Sequence, residues 1–287
     1  MSPYPFIKWA GGKGRMISHI APRIPDKFGR YFEPFLGGGA VFFELSREKR
    51  IKRAILGDMN PELMNAYRTV KDNVEDLISE LCEGGYSYTK ENYLSVRKWD
   101  TEVLSDVRRA ARFVFLNRTC FNGLYRVNRK GGFNVPFGKY ENPVVCDAVN
   151  LRSVSAALSK TRLVEKSFDY VAREARAGDV VYMDPPYYPL SGTSKFVSYT
   201  EGGFGLEEHT RLSIVFRQLA DKGVTAILSN SFCPTTVSLY RDFEILELTG
   251  SRNVGGPADY RQPVREIMVV ANGRPVRLDG PGCTLNP

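Results

Sequence analysis

The four residues Asp184-Pro185-Pro186-Tyr187 and the apolar run before them constrain the fold more than any other stretch. The run, from Asp179 to Met183, is bounded by Gly178 and two prolines, which predicts one buried strand that stops abruptly. Ligands of open parallel α/β sheets bind beyond the carboxyl ends of the strands. A carboxylate, two rigid prolines and an aromatic ring are therefore expected where a substrate would arrive. A Pro-rich turn without catalytic function is the alternative, and the short motif alone does not separate the two.

A glycine-rich turn follows another predicted strand near the N-terminus. Tyr31 to Phe35 predicts a strand that runs into Leu36-Gly37-Gly38-Gly39 and a helix from Ala40 to Glu48. A strand from Arg53 to Gly57 completes a βαβ unit, and Asp58 stands 19 residues after Gly39, where Rossmann-like folds hold ribose hydroxyls. Phe42 occupies the position at which a dinucleotide fingerprint needs its third glycine, which argues against NAD.

A second glycine turn, Ala10-Gly11-Gly12-Lys13-Gly14, comes directly after Trp9. It predicts a turn entering a short helix, whose free N–H groups together with Lys13 could hold an anionic group. A P-loop is the rival interpretation. Against it, Lys13 is followed by Gly14 rather than Ser or Thr, and no strand of useful length precedes the turn.

Helical patterns replace the strands in the middle of the chain. They cover Glu62 to Lys71, Val74 to Leu81, Ser105 to Leu116 and Cys146 to Leu158, and a Gly- and Asn-rich loop, Thr119 to Asn142, is too long for a routine connection. We therefore predict two domains: one of alternating strands and helices, 1–60 and 160–287, and a smaller helical one, 61–159, carrying the loop 119–142.

The basic charge is concentrated around that loop. Between Ser105 and Tyr140, eight Lys and Arg residues stand against one acid, which accounts for +7 of the net charge of +8. Such a run is usually a solvated surface. Here it is interleaved with Phe, Tyr, Gly and Asn, a composition that suits a polyanion with stackable bases.

Strand and helix patterns alternate again after the insertion. We predict strands at Leu163–Glu165, Val180–Met183 and Val224–Leu228, a helix at Leu206–Asp221, and a hairpin of Phe243–Leu248 with Val264–Val270. A long polar loop covers 189–205, and the tail after Asn272 is rich in Pro and Gly. The order predicts an α/β fold with a parallel sheet and a terminal hairpin.

Composition excludes several classes. No apolar run approaches the roughly 20 residues of a membrane span, and the N-terminus lacks the apolar core of a signal peptide, so we expect a soluble cytoplasmic protein. The five cysteines are scattered, never at C-x-x-C spacing, and accompanied by two histidines. We therefore expect reduced thiols and no metal.

The segments Lys8-Trp9-Ala10-Gly11-Gly12-Lys13, Phe35-Leu36-Gly37-Gly38-Gly39, the basic insert and Asp184-Pro185-Pro186-Tyr187, in this order, resemble N6-adenine DNA methyltransferases of the Dam type, which are D12-class, alpha-group enzymes specific for GATC. The likeness runs from about Pro5 to Val270. It implies a Rossmann-like S-adenosylmethionine-dependent methyltransferase sheet with a terminal antiparallel hairpin and an inserted, mostly helical target-recognition domain. The catalytic methyltransferase domain would then be 1–60 and 160–287, and the DNA target-recognition domain 61–159, with the basic hairpin loop 119–142.

The resemblance also implies roles for individual residues. S-adenosylmethionine would be bound by Trp9, Ala10, Gly11, Gly12, Lys13, Glu33, Pro34, Phe35, Gly37, Gly39, Asp58, Phe168 and Asp184. Asp184, Pro185, Pro186 and Tyr187 would form the catalytic loop. Arg118, Phe121, Asn122, Leu124, Arg126, Asn128, Pro136 and Lys139 would bind DNA, with Arg126, Leu124 and Pro136 facing bases and Phe121 and Asn122 holding the opened duplex. Ser167 stands where some relatives have an acid.

The expected partner is double-stranded DNA containing GATC, bound by a monomer that needs no membrane and acts in the bacterial cytoplasm, whether in restriction-modification, in replication or from a phage. Three alternatives stay open at this point: methylation of cytosine at N4, a DNA-binding module without catalysis, and an NAD-linked dehydrogenase. A cytosine-C5 mechanism needs a nucleophilic Cys, normally after Pro, and no cysteine here follows a proline.

Overall fold

Seven strands form one sheet in a computed structural model that describes residues 2–189, 203–251 and 263–272. They are β1 (Tyr31–Glu33), β2 (Ala54–Gly57), β3 (Thr161–Val164), β4 (Val180–Met183), β5 (Thr225–Ser231), β6 (Glu244–Ser251) and β7 (Pro263–Asn272). The order is β3-β2-β1-β4-β5-β7-β6. Strands β1 to β5 pair in parallel, and β7 lies antiparallel to β5 and β6. The predicted α/β sheet with a terminal antiparallel hairpin is confirmed.

Ten α-helices are present in the described ranges. They are α1 (Ile17–Ile20), α2 (Ala40–Arg47), α3 (Pro61–Asp72), α4 (Val74–Glu83), α5 (Lys90–Arg97), α6 (Asp106–Thr119), α7 (Ala148–Leu158), α8 (Tyr170–Glu174), α9 (Leu206–Asp221) and α10 (Pro234–Leu239). The sequence did not predict α5. It begins after Thr89, whose hydroxyl accepts a 3.1 Å hydrogen bond from the Asn92 N–H, and has only two buried apolar residues, a weak periodic signal.

The strand order reverses between β1 and β4. The chain passes from β1 outward to β2 and β3 on one side, and from β4 outward to β5 on the other. The carboxyl ends of β1 and β4 therefore flank a crevice of the kind in which α/β sheets bind ligands. Strand β1 ends at Glu33, not at Phe35 as predicted, because Pro34 has no N–H to continue the ladder.

Alternating side chains divide the core into two layers. Tyr31, Val180 and Tyr182 face the layer that contains α2 to α7, whereas Phe32 and Val181 face the layer beneath α9. The inserted helices share the first layer with the sheet, since Tyr67, Tyr93 and Phe115 belong to it. The division into two domains stays a prediction.

A buried asparagine ties the N-terminal segment to the end of α6. Asn117 accepts a 2.7 Å hydrogen bond from the Lys8 N–H and donates to the carbonyls of Lys8 (2.7 Å) and Gly123 (3.2 Å). The Gly123 backbone lies so close that a Cβ there would be 2.3 Å from the Lys8 Cβ. The glycine turn after Trp9 is thereby held beside the start of the basic loop.

The loop predicted over 189–205 lies mostly outside the described residues, as do the loop of the terminal hairpin and the tail after Asn272. None of the helices in the described ranges has the length and hydropathy of a membrane span.

Candidate active site

The acid-proline-tyrosine loop begins where β4 ends, beside Lys13 of the N-terminal turn. The Asp184 Oδ1 is 2.8 Å from the Lys13 Nζ, an ion-pair distance, and Lys13 also donates a 2.7 Å hydrogen bond to the Gly11 carbonyl. The same Nζ lies 4.6 Å from the centre of the Tyr187 ring. This ion pair closes Oδ1 to solvent, whereas 20% of the Asp184 side chain stays exposed. A ligand in the crevice can therefore still reach the carboxylate.

Burial sets the ionisation of the two acids here. It raises the pKa of Asp184 to about 6, against the opposing charge of Lys13. Glu33, at the end of β1, accepts a 2.8 Å hydrogen bond from the Tyr31 hydroxyl, and burial raises its pKa to about 8. The negative charge of Asp184 also raises the pKa of Glu33. The crevice thus favours a cationic ligand, which would stabilise both carboxylates.

We expect Glu33 to make stability fall as pH rises. Between the ordinary pKa of 4.5 and about 8, the unfolded chain has lost a proton that the folded protein retains, so the free energy of unfolding falls through this window. Glu33→Gln remains neutral and can still accept from Tyr31. We compare the free energies of unfolding of Glu33→Gln and wild type at the two ends of this window. The difference in favour of Glu33→Gln should be larger by a few kcal/mol near pH 8 than at pH 4.5. Urea denaturation at both ends measures this, and a constant difference would contradict it.

Asp58, directly after β2, closes the glycine turn of residues 36–39. Its Oδ2 accepts a 3.0 Å hydrogen bond from the Gly37 N–H, and its Oδ1 accepts one of 3.0 Å from the Asn60 N–H. The Tyr67 hydroxyl donates to the Gly37 carbonyl at 3.1 Å. Asp58 therefore fixes the conformation of the turn. Gly37 and Gly39 have φ values of +47° and +67°, and α2 starts immediately after them.

We expect Gly37→Ala to lower both stability and affinity for a ligand of the turn. A Cβ at this position would lie 2.7 Å from the Trp9 Cδ1, and positive φ adds about 1 kcal/mol of strain for a non-glycine residue. Gly178→Ala is the matched control, because Gly178 has φ +81° and nothing within 4 Å of its Cβ position. Thermal unfolding should show a larger loss for Gly37→Ala, and equal losses would exclude the contact with Trp9 as its cause.

Aromatic rings connect the ends of β1 and β3 to the acid-proline-tyrosine loop. Phe35 stacks on Phe168 with ring centres 5.5 Å apart, and Phe204 contacts both rings. Phe204 also contacts His209, whose ring meets Tyr188. Next to this cluster, the Ser167 hydroxyl donates a 2.6 Å hydrogen bond to Asp169 Oδ2, so a carboxylate is present two residues after the position where an acid was missing.

Hydrogen bonds between the Tyr188 backbone and side chains of β5 hold the acid-proline-tyrosine loop onto that strand. The Tyr188 N–H donates to the Asn230 Oδ1 at 3.1 Å, and the Tyr188 carbonyl accepts from the Ser231 hydroxyl at 2.7 Å. Asn230 in turn contacts the Nδ1 of the fully buried His209 at 3.3 Å. Burial lowers the pKa of His209 to about 4, so this network contains a neutral imidazole at neutral pH.

The basic loop folds back on itself beside this site. Cys120 and Val127 pair antiparallel with Phe137 and Phe133, and the Phe121 N–H donates to the Pro136 carbonyl at 2.9 Å. Aromatic packing joins the basic loop to the N-terminal glycine turn, because Tyr125 stacks on Trp9 with ring centres 5.8 Å apart. Trp9 also covers Gly37.

The predicted DNA-binding residues occupy different environments. Phe121, Asn122, Arg126, Asn128, Pro136 and Lys139 are exposed. Leu124 packs partly against the core. Arg118 is half-buried and donates a 3.1 Å hydrogen bond to the Phe6 carbonyl, so in this structure it supports the N-terminal segment. The Arg126 Nε donates to Asn134 Oδ1 at 2.6 Å.

Sequence reasoning missed Glu266 of β7. Its Oε2 accepts a 2.6 Å hydrogen bond from the Tyr187 hydroxyl. It also missed the stacking of Tyr125 on Trp9 and the neutral His209. Each comes from a segment distant along the chain, and no motif or spacing could have indicated these contacts. Within the described residues, no group of three or more His, Cys, Asp or Glu is placed to bind a metal.

The sheet order, the glycine turn after β1 and the acid-proline-tyrosine loop after β4 define a Rossmann-like methyltransferase. The family model for D12 class N6 adenine-specific DNA methyltransferases matches residues 9–254, and the chain belongs to that family. The family is adenine-specific, which removes the N4-cytosine and dehydrogenase alternatives.

Several relatives match along most of this chain. The Type II methyltransferase M1.LlaDCHI of Lactococcus lactis subsp. cremoris is 44% identical over 275 residues, which cover 94% of this chain and 95% of that protein. The DNA N-6-adenine-methyltransferase of Escherichia phage P1 is 36% identical over 266 residues, 91% of this chain and 34% of that protein. The DNA adenine methylase of Vibrio cholerae is 32% identical over 268 residues, 92% and 95% of the two chains.

Proposed function

We propose that this protein transfers the methyl group of S-adenosylmethionine to the N6 amino group of a flipped-out adenine within GATC sites of double-stranded DNA. The observation that supports it most is the partly exposed Asp184 carboxylate at the switch point of the sheet, paired with Lys13, whose Nζ also lies over the Tyr187 ring. An exocyclic amino group carried on a planar base satisfies both features.

The acid-proline-tyrosine loop would hydrogen-bond to both N–H groups of the adenine amino group. The lone pair of this nitrogen is delocalised into the adenine ring, so the nitrogen is a poor nucleophile. The Asp184 carboxylate and the Pro185 carbonyl would each accept a hydrogen bond from one N–H of the amino group. These two hydrogen bonds orient the nitrogen lone pair away from the ring plane and stabilise the positive charge that develops on nitrogen. Tyr187 stacks on the base, and Pro186 restricts the carbonyl before it to few orientations.

The residues around the two glycine turns fit S-adenosylmethionine. Trp9, Ala10, Gly11, Gly12, Lys13, Pro34, Gly37, Gly39 and Asp58 line or close these turns, and Phe35 with Phe168 offers an aromatic surface for an adenine ring. Asp184 provides negative charge that suits a sulfonium cation, and a bound cation would lower the raised pKa of Glu33 and favour its carboxylate form. When bound, the cofactor supplies an electrophilic methyl group. Alignment of the two reactants in contact provides much of the remaining rate gain.

The exposed loop would read the DNA. A base inside a duplex cannot reach Asp184, so the adenine must be flipped out at a cost of a few kcal/mol. Phe121 and Asn122 stand exposed at the start of the loop, where they can hold the opened duplex. Arg126 would bind a guanine through its O6 and N7, beside Leu124 and Pro136, whereas Asn128 and Lys139 would support the complex from the same loop. Arg118 would contribute through its bond to the N-terminal segment.

The relatives include both Type II methyltransferases and DNA adenine methylases, so a function in restriction-modification or in replication fits equally well. One site per chain suffices for the reaction, and we propose a monomer acting in the cytoplasm. A DNA-binding protein without catalysis is the alternative that an assay separates.

Methyl transfer from labelled S-adenosylmethionine to paired duplexes that differ only in one GATC site tests the proposal, with the modified base identified by digestion and mass spectrometry. N6-methyladenine confined to the GATC duplex would support cofactor, reaction and specificity together. Label on both duplexes would refute the specificity, and label on neither, despite cofactor binding, would refute catalysis.

A further inference from the structure

We propose that Glu266 is a positioning residue that fixes the Tyr187 ring for stacking on the target base. The Tyr187 hydroxyl donates a 2.6 Å hydrogen bond to the Glu266 Oε2, although 79 residues separate the two in sequence. The inference rests on the proposed methyl transfer at Asp184 and adds a residue from the terminal hairpin to that site.

Strand β7 directs Glu266 toward the catalytic loop. Glu266 stands opposite Ser231 of β5 and Leu248 of β6 in the antiparallel register. Successive side chains of a strand alternate between faces, so Glu266 lies on the face of Met268, which packs in the same core layer as Tyr182. Ser231 opposite it holds the Tyr188 carbonyl. The loop is therefore held at two consecutive tyrosines, Tyr187 by β7 of the hairpin and Tyr188 by the neighbouring β5.

Tyr187 lies in the loop after β4, and its ring needs such a contact to keep one orientation. Lys13 lies over the face of the Tyr187 ring at 4.6 Å, but a contact with the face does not stop the ring from turning about its side-chain torsions. A hydrogen bond from the hydroxyl to a carboxylate is short, directional and among the stronger ones in proteins. It anchors the far end of the ring, so that the ring offers a fixed plane to a base.

Glu247 and Glu266, one on each strand of the hairpin, have different partners. Glu247 of β6 forms an exposed ion pair with Arg265. Glu266, the next residue on β7, is half-buried, and its Oε2 points to Tyr187. This difference makes Glu247→Ala a matched control: it removes a glutamate from the same hairpin without altering the loop, and exposed pairs of this kind contribute little to stability.

The test compares Glu266→Ala, Glu266→Gln, Tyr187→Phe and the double variant Tyr187→Phe/Glu266→Ala. The substrate is plasmid DNA from a strain that lacks adenine methylation, so the result does not depend on GATC specificity. We expect Glu266→Ala to lower kcat about tenfold, the size expected for one hydrogen bond to a charged group, without changing the affinity for S-adenosylmethionine measured in the absence of DNA. Glu266→Gln, which keeps an acceptor, should recover most of the activity.

The double variant separates positioning from a general structural effect. If Glu266 acts through the hydroxyl, Tyr187→Phe/Glu266→Ala should be no slower than Tyr187→Phe alone. Additive losses, equal losses in the Ala and Gln variants, or wild-type kcat in Glu266→Ala would each overturn the positioning role while wild-type activity upholds the methyl transfer. An inactive wild-type protein would overturn the proposed function, and the positioning role with it.

Discussion

Replacing Asp184 with alanine is expected to lower kcat for DNA methylation by about a hundredfold to a thousandfold, while S-adenosylmethionine and DNA still bind. In the proposed mechanism the carboxylate is the acceptor that orients the amino group and offsets the charge developing on it, and these contacts strengthen in the transition state. Loss of an interaction of this kind reduces kcat rather than binding. Single-turnover methylation with saturating cofactor measures the effect directly.

The structure indicates which controls this experiment needs. Asp184 neutralises Lys13, so Asp184→Ala leaves a nearly buried ammonium without its 2.8 Å partner, and folding must be checked by thermal unfolding. Asp184→Asn, which keeps one oxygen acceptor, should be slower than wild type but faster than Asp184→Ala. Asp242→Ala removes an exposed acid paired with Arg217 and should retain full activity. Turnover of Asp184→Ala within tenfold of wild type would refute the mechanism.

Arg126→Ala is expected to reduce methylation of GATC about tenfold to a hundredfold more than methylation of near-cognate sites. A guanidinium that binds guanine O6 and N7 contributes about 1–3 kcal/mol of discrimination against a wrong base. In the DNA-free protein, the Arg126 Nε already donates to Asn134 at 2.6 Å, which holds the guanidinium in place on the exposed loop. The measurement is kcat/KM on duplexes differing at one base pair of the site.

Lys139→Ala provides the comparison for a phosphate contact. Lys139 is exposed near the return of the same loop. Its removal should weaken binding equally on every duplex and decrease the salt dependence of the affinity by about one unit of slope. If Arg126→Ala behaved in the same way, with equal losses on cognate and near-cognate sites, Arg126 would contact phosphate rather than a base.

Local signals were sufficient to locate the main elements of the fold. The apolar run before Asp184 lies between a glycine and two prolines, so both its strand and its end at Met183 were predicted correctly. The glycine turn after β1 was placed correctly, because few residues other than glycine adopt the positive φ found at Gly37 and Gly39. Where a signal was weak, as in α5 with its two buried apolar residues, the prediction failed.

The sequence by itself determined the succession of strands along the chain, the loop that follows β4 and the family, because each depends on motifs of residues adjacent in the chain. Only the tertiary structure decided which groups meet at that loop. Lys13, Asp184 and Glu266 come from three distant segments, and the pairing of β7 with β5 is what brings the last of them to Tyr187. Sheet register and burial, which also set the pKa values of Glu33 and Asp184, depend on contacts between residues far apart in the chain, and no local pattern encodes them.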